Sequence, residues 1–193
     1  MSLFNKNIRI STDAALIQMM GNGNTRAFDE LYDRYSGKLL SYFRKMLNND
    51  TDKAQDFLQD LFIKLLEKSS YFDATKSFST WIYTLACNMC KNEYRNHAIR
   101  SRILEENGEF IFYNEKMPDL ENIDLHLFKK RLEQELQNLD YLHRETFVLR
   151  FYEELSIKEI SGILDCAEGT VKSRLFYTLK KLGGKLAVFN PVN

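Results

Sequence analysis

Apolar positions recur along most of this chain at spacings of three and four, the signature of helices with one buried face. From Asn24 the stripe runs Phe28, Leu31, Tyr35, Leu39, Phe43 and Met46, and Asn24 itself suits an N-cap. Asn48-Asn49-Asp50 breaks that helix. A second is predicted over Asp52 to Lys68, burying Phe57, Leu58, Leu61, Leu65 and Leu66. The aromatic-rich stretch Ser69 to Ser79 reads as a loop, and a long third helix follows from Thr80 to Arg102. A shorter helix, Ala14 to Met20, closes a bundle of three or four. Between Ile103 and Asn122 the period fades and acids accumulate (Glu105, Glu106, Glu109, Glu115, Asp119, Glu121), as in a linker. Phe110, Phe112 and Tyr113 leave open a covering loop folded onto one domain.

A second helical set begins near Asp124, with one helix through Leu132 and Leu136 and another through Phe147, Val148 and Phe151. Ser156 and Glu159 then fit a capping box, and Ile157, Ile160 and Leu164 form a short stripe ending at Asp165-Cys166-Ala167. Val171, Leu175, Leu179 and Leu182 share the inner face of the last helix, which leaves Lys172, Ser173, Phe176, Tyr177 and Lys180 outward. Two short helices, a tight turn and a basic, aromatic outer face suit a helix-turn-helix entering a DNA major groove. They equally suit an amphipathic hairpin with a solvated face, and periodicity alone leaves both open.

Composition narrows the class. The chain has 193 residues, 44% hydrophobic, with two prolines (Pro118 and Pro191) and eight glycines, so long helices can run unbroken. No strict alternation or β-branched run argues for strands, and the fold expected is all-α: two small helical domains over residues 1–102 and 123–193, joined by a linker over 103–122. The N-terminus lacks a signal-peptide core and no stretch approaches the ~20 apolar residues of a membrane span, so a cytoplasmic protein is expected. Three cysteines without framework spacing fit a reduced compartment. Cys87 and Cys90 form a C-x-x-C with His97 beyond it, but a fourth zinc ligand and the strand of a redox motif are both missing, so they read as small core thiols. His126 and His143 have no catalytic partner pattern and no phosphate loop is present. No enzyme activity, metal, cofactor or small-molecule substrate is expected.

Net charge is zero, 27 basic against 27 acidic residues, which excludes a uniformly basic coat. Basic residues nevertheless cluster twice, at Lys91, Arg95, Arg100 and Arg102, and at Lys172, Arg174, Lys180, Lys181 and Lys185. Two patches on a neutral chain suggest two DNA contacts.

The residues from Glu145 to Ile160 (ETFVLRFYEELSIKEI), with Glu168 to Leu175 (EGTVKSRL), resemble region four of bacterial sigma factors. Asp52 to Leu65 (DKAQDFLQDLFIKL) resembles the region-two helix that docks on core RNA polymerase, and Phe78 to Asn88 (FSTWIYTLACN) resembles the promoter-melting segment. With no region three between them, the chain resembles the extracytoplasmic-function (ECF) class, over roughly residues 24–186. The resemblance implies that Lys172, Ser173, Arg174, Phe176, Tyr177 and Lys180 contact a minus-thirty-five element. It implies that Phe72, Phe78, Ser79, Asn88, Lys91, Asn92 and Arg95 capture the minus-ten nontemplate strand, and that Asp52, Asp56, Gln59 and Asp60 face core polymerase. Core polymerase, promoter DNA and an anti-sigma factor are the implied partners, with a monomer when free.

The chemistry of those residues is consistent with these roles. Capture of unpaired bases needs aromatic platforms and amide edges beside a basic rail, and Tyr71, Phe72, Phe78, Trp81 and Tyr83 precede Asn88 and Asn92 closely. Trp81 and Leu85 share a face and are expected in the core. Asp52, Asp56, Gln59, Asp60 and Lys64 lie opposite the apolar stripe, where charge would orient docking. Two positions depart from the pattern: Ala167 stands where a serine often caps the recognition helix, and Asn138-Leu139-Asp140 lacks the usual leucine-proline. Promoter elements two duplex turns apart are separated by roughly 70 Å. Twenty flexible residues average about 25 Å and extend to about 65–70 Å, so the linker is extended in a working complex and the free form is more compact. The competing reading is a regulator whose first domain binds a ligand or dimerises. Such a protein would bind a palindrome alone, whereas a sigma factor needs polymerase. A pure interaction module is a third reading, disfavoured by the basic outer face.

Overall fold

A computed structural model describes residues 8–106 and 125–189. Its regular elements among those residues include α1 (Asp13–Gly21), α2 (Thr25–Met46), α3 (Thr51–Lys68), α4 (Phe78–Glu106), α5 (Leu125–Gln137), α6 (Tyr141–Phe151), α7 (Ile157–Ile163) and α8 (Glu168–Lys185), with no strand among the described residues. Short 3-10 turns, Ser69–Tyr71 and Ala187–Phe189, follow α3 and α8. The starts are locally encoded. Asn24 Oδ1 accepts from the amides of Arg26 and Ala27, Asp50 from Lys53 and Asp140 from His143. Ser156 and Glu159 make the full capping box, while Ala167 leaves α8 without a side-chain cap. Asn48 and Asn49 carry positive φ angles of 56° and 61° between α2 and α3, a conformation Asn tolerates better than most residues.

The two helical sets pack against one another. The principal core begins with Leu16 and Ile17 of α1, Leu31, Leu39 and Phe43 of α2, Leu61 and Leu65 of α3, and Ile82 and Ala86 of α4. It then continues through Val148 and Leu149 of α6, Ile160 and Ile163 of α7, and Val171 and Leu175 of α8. α4 lies against α7, and α2 against α6. A smaller cluster of Leu136, Leu139, Phe147 and Leu182 roofs the far side, beneath α5. The two helical sets are therefore closed on one another over one apolar interior.

Several expectations need correction. α4 continues through Glu106, beyond the expected helix end at Arg102, and the next helix starts at Leu125. Most of the expected linker, with Phe110, Phe112 and Tyr113, lies outside the described residues. Leu66 and Leu179, expected inside, are 47% and 48% exposed. Thr178 takes the buried place beside Leu182 instead, at 1% exposure. α8 packs against α5, α6 and α7, and this wider buried arc does not follow a single i, i+4 line. Among the described residues no helix is long and apolar enough to cross a membrane.

Candidate functional site

The last helix presents the outer face that its sequence promised. Lys172, Ser173, Phe176, Tyr177 and Lys180 are all exposed, and Arg174 is half-buried. Lys172, Phe176 and Lys180 recur every four residues and so form one ridge. Phe176 and Tyr177 are 62% and 60% exposed and meet edge to face, ring centroids 5.4 Å apart. Val171 and Leu175 fasten the helix from behind. The hydroxyl of Ser173 donates to the carbonyl of Thr170 at 3.0 Å.

The second surface combines the start and middle of α4. Asn88, Lys91, Asn92 and Arg95 are all exposed, on successive turns of one helix. Upstream, the loop before α4 is shaped by Asp73, whose Oδ1 accepts from the Thr75 amide (3.0 Å) and hydroxyl (2.7 Å). These hydrogen bonds hold the Asp73 carboxyl below its ordinary value. Ser77 Oγ accepts from the Thr80 amide and caps the helix. Phe72 is half-buried, packed on Phe78 (5.8 Å) and Trp81 (5.3 Å). Phe78 itself is 4% exposed and meets Tyr35 at 5.2 Å. Its ring therefore lies inside the fold, although its residue type suited an exposed aromatic platform. Ser79 and Trp81 are half-buried, so Trp81 belongs with the core as its spacing indicated. Tyr71, by contrast, is 80% exposed beside this loop.

The third surface is the outer side of α3. Asp52, Asp56, Gln59 and Asp60 are exposed, as expected. Ile63 and Leu66 share that exposure at 53% and 47%, and Tyr32 of α2 is 41% exposed nearby, its ring 4.8 Å from Phe62. Charge was legible in the sequence here; the apolar component was not, because Leu66 fits the inner stripe by spacing. Lys53 bonds Glu93 at 2.6 Å, tying α3 to α4.

Between the helical sets lies a polar seam that the sequence does not announce. Glu145 of α6, 3% exposed, accepts from the Tyr141 hydroxyl (2.7 Å) and faces the hydroxyl of Tyr42 at 3.4 Å. Glu153, 8% exposed, accepts from the Tyr83 hydroxyl of α4. Burial raises both carboxyls above their ordinary value, only partly countered by these hydrogen bonds. The tyrosine hydroxyls are raised in turn, by burial first and then by the neighbouring carboxylates. Arg144 reaches across to Asn48 Oδ1 at 2.9 Å, and the Lys45 ammonium stands 4.2 Å from the centre of the Tyr152 ring. Cys87 and Cys90 are buried beside the seam, and burial pushes both thiols up. A cavity of about 480 Å³ opens where α4 meets α6, lined by Lys91, Asn92, Tyr94, Arg95, Tyr141 and Leu142 among others. Among the described residues no group of His, Cys, Asp and Glu side chains is arranged to hold a metal ion.

Comparison with known proteins identifies the scaffold. Residues 31–99 match Sigma-70 region 2 and residues 129–182 match Sigma-70, region 4. The RNA polymerase sigma-H factor of Pseudomonas aeruginosa is 31% identical over 171 residues, 85% of this chain and 88% of that one. The ECF RNA polymerase sigma-E factor of Haemophilus influenzae is 28% identical over 182 residues, 91% and 95% of the two chains. Among solved structures, CnrH in complex with the cytosolic domain of CnrY superposes with a TM-score of 0.69 at 24% identity, over 92% of this chain and 99% of that one. The sigma factor RpoE of Bartonella quintana, in complex with the anti-sigma factor NepR, gives 0.67 at 23% identity, over 84% and 98%. The last two share the fold. Taken with both regional matches in order, the sequence relatives establish that this chain belongs to the ECF group of the sigma-70 family of RNA polymerase sigma factors.

Proposed function

We propose that this chain directs core RNA polymerase to promoters through three surfaces with separate tasks. The outer face of α8, with Lys172, Ser173, Phe176, Tyr177 and Lys180, enters the major groove of the minus-thirty-five duplex, with Arg174 on its flank. Asn88, Lys91, Asn92 and Arg95 on α4 take the nontemplate strand of the minus-ten element as it separates. Phe72, Ser79 and the buried support Phe78 shape the loop that receives an extruded base. Asp52, Asp56, Gln59 and Asp60 dock on core polymerase, together with the exposed Ile63 and Leu66. Residues 8–106 serve as the docking and melting domain, and residues 125–189 as the duplex-reading domain.

The observation that carries this reading is the exposed row Asn88, Lys91, Asn92 and Arg95 on the helix that an aromatic loop introduces. Amide edges can hydrogen-bond an unpaired base and cations can follow its backbone, whereas a solvated helix face requires neither in that order. Unstacking a base costs a few kcal/mol, which stacking and hydrogen bonds in a shaped pocket offset. The chain works in the cytoplasm as a regulatory initiation factor, not as an enzyme, and an anti-sigma protein is its natural antagonist. Run-off transcription with purified core enzyme, on promoters selected from genomic DNA, tests the reading. Addition of the chain should convert inactive core into an initiating enzyme; failure to stimulate demonstrably active core rejects the proposal. Binding to a palindrome without polymerase would favour a conventional regulator instead.

A further inference from the structure

We propose that Phe176 and Tyr177 read thymine methyl groups, so that the upstream promoter element is specified beneath them by the C5-methyl and not by paired hydrogen bonds. The inference rests on α8 being the duplex-reading helix and adds what it reads. Discrimination in the major groove ordinarily comes from a few side-chain types: Arg or Lys to guanine, Asn or Gln to adenine, Asp or Glu to cytosine N4, Ser or Thr to several edges, and apolar contact to the thymine methyl. α8, EGTVKSRLFYTLKKLGGK, contains neither Asn nor Gln and a single Arg. That Arg174 is half-buried and turned back toward the inter-helix turn, its guanidinium 4.0 Å from Cys166 Sγ. Ser173 has committed its proton to the Thr170 carbonyl. Lys172 offers a point charge without the fork that matches guanine, and Glu168, an acceptor suited to cytosine N4, stands in the first turn, two turns before Phe176.

The middle of the outer face therefore belongs to two aromatic rings. Neither contributes to the core: they are 62% and 60% exposed and contact one another edge to face. Lys172 and Lys180 lie one turn before and one turn after Phe176 on the same ridge, where they can hold phosphates while the rings reach the base edges. An apolar ring against a methyl excludes water from both, and one such methyl is worth about 0.8 kcal/mol, about fourfold in affinity.

Deoxyuridine provides the test, since it keeps the hydrogen-bonding edge of thymine and lacks only the methyl. Holoenzyme assembled from the full chain and core polymerase is titrated against a promoter obtained by run-off selection, with each upstream thymine replaced by deoxyuridine in turn. One or two positions should lose about fourfold in affinity while the others stay unchanged. In Phe176→Ala or Tyr177→Ala holoenzyme the thymine-to-deoxyuridine ratio at those positions should fall to one. Core binding of each variant is measured alongside to exclude misfolding. A ratio of one at every thymine overturns the proposal, as does a ratio equal in wild type and both variants. Promoter binding insensitive to both substitutions also overturns it, and would assign the pair to a protein partner. Failure of the sigma reading itself shows separately, as no run-off stimulation by the unaltered chain.

Discussion

Asn88 and Asn92 are exposed on adjacent turns of α4, and their spacing of four is enough to place them on one face from sequence alone. In the proposed role of capturing the minus-ten strand, replacing both by Ala removes base-edge hydrogen bonds worth about 1–3 kcal/mol per good pair. Open-complex formation, followed by a fluorescent base analogue in the minus-ten element, should fall roughly ten- to a hundredfold. Affinity for core should not change, and an equal loss of both would indicate misfolding. Ala167 offers the opposite kind of prediction. Its φ of −63° and ψ of 147° are N-cap geometry with no side-chain acceptor. Ala167→Ser should therefore stabilise the chain by about 1 kcal/mol, raising the thermal midpoint by about 2–4 °C. An unchanged midpoint would mean the α8 amides already have partners. Phe78 marks the limit of residue-level reading. Its identity suits a base platform, but burial against Tyr35 and Trp81 makes it scaffolding.

Among the elements, α3 shows how a helix divides its faces. Ala54, Leu58, Leu61, Phe62 and Leu65 are buried, while Asp52, Asp56, Gln59, Asp60, Ile63 and Leu66 remain outside. Charges at such a rim govern encounter more than residence. Asp56→Lys with Asp60→Lys should slow association with core about tenfold at low salt and change protein stability by less than about 0.5 kcal/mol. Stopped-flow association across a salt series checks this, and an unaltered rate would remove α3 from the docking surface. The caps at Asn24 and Ser156 were legible, because capping side chains act within three residues of the backbone they satisfy, whereas those at Thr12, Asp50 and Asp140 were not read. Nor was the end of α4: Ile103 to Glu106 form one more helical turn where acids and fading periodicity suggested a linker.

Among the described residues the two helical sets are closed on one another, with α7 packed on α4. On the proposed function, two promoter elements about 70 Å apart cannot be engaged from one shared core, so the two helical sets have to part, whereas the proposed docking face of α3 is already exposed. Opening returns Glu145 and Glu153 to water. Glu145 is faced by Tyr42, Cys87, Cys90, Lys91 and Tyr141, and Glu153 by Tyr83, Lys45 and Lys38. Both carboxyls are raised in the closed form from an ordinary value of 4.5. Below that value they are protonated in either form and closure is favoured fully; the stabilisation is lost as pH rises through the raised values. Energy transfer between dyes on the two domains should therefore fall as pH increases above 4.5. Glu145→Gln with Glu153→Gln should flatten that dependence, and a pH-independent distance in the unaltered chain would refute the coupling. Tyr83→Phe leaves Glu153 buried without its donor, a penalty of about 1–3 kcal/mol that should also favour opening.

Sequence by itself determined the helices, the caps at Asn24 and Ser156, the charged and polar residues of the three outward surfaces and the family, because each depends on neighbours within a turn or on a contiguous motif. Only the tertiary structure decided that Leu149, Ile160 and Leu175 share a core with Leu39 and Ile82, and that Glu145 meets a tyrosine 103 positions away. Periodicity says which face of a helix leaves water but not which other face it meets. Glu145 and Glu153 sit inside because tyrosines from distant helices receive them, and no local pattern encodes that meeting.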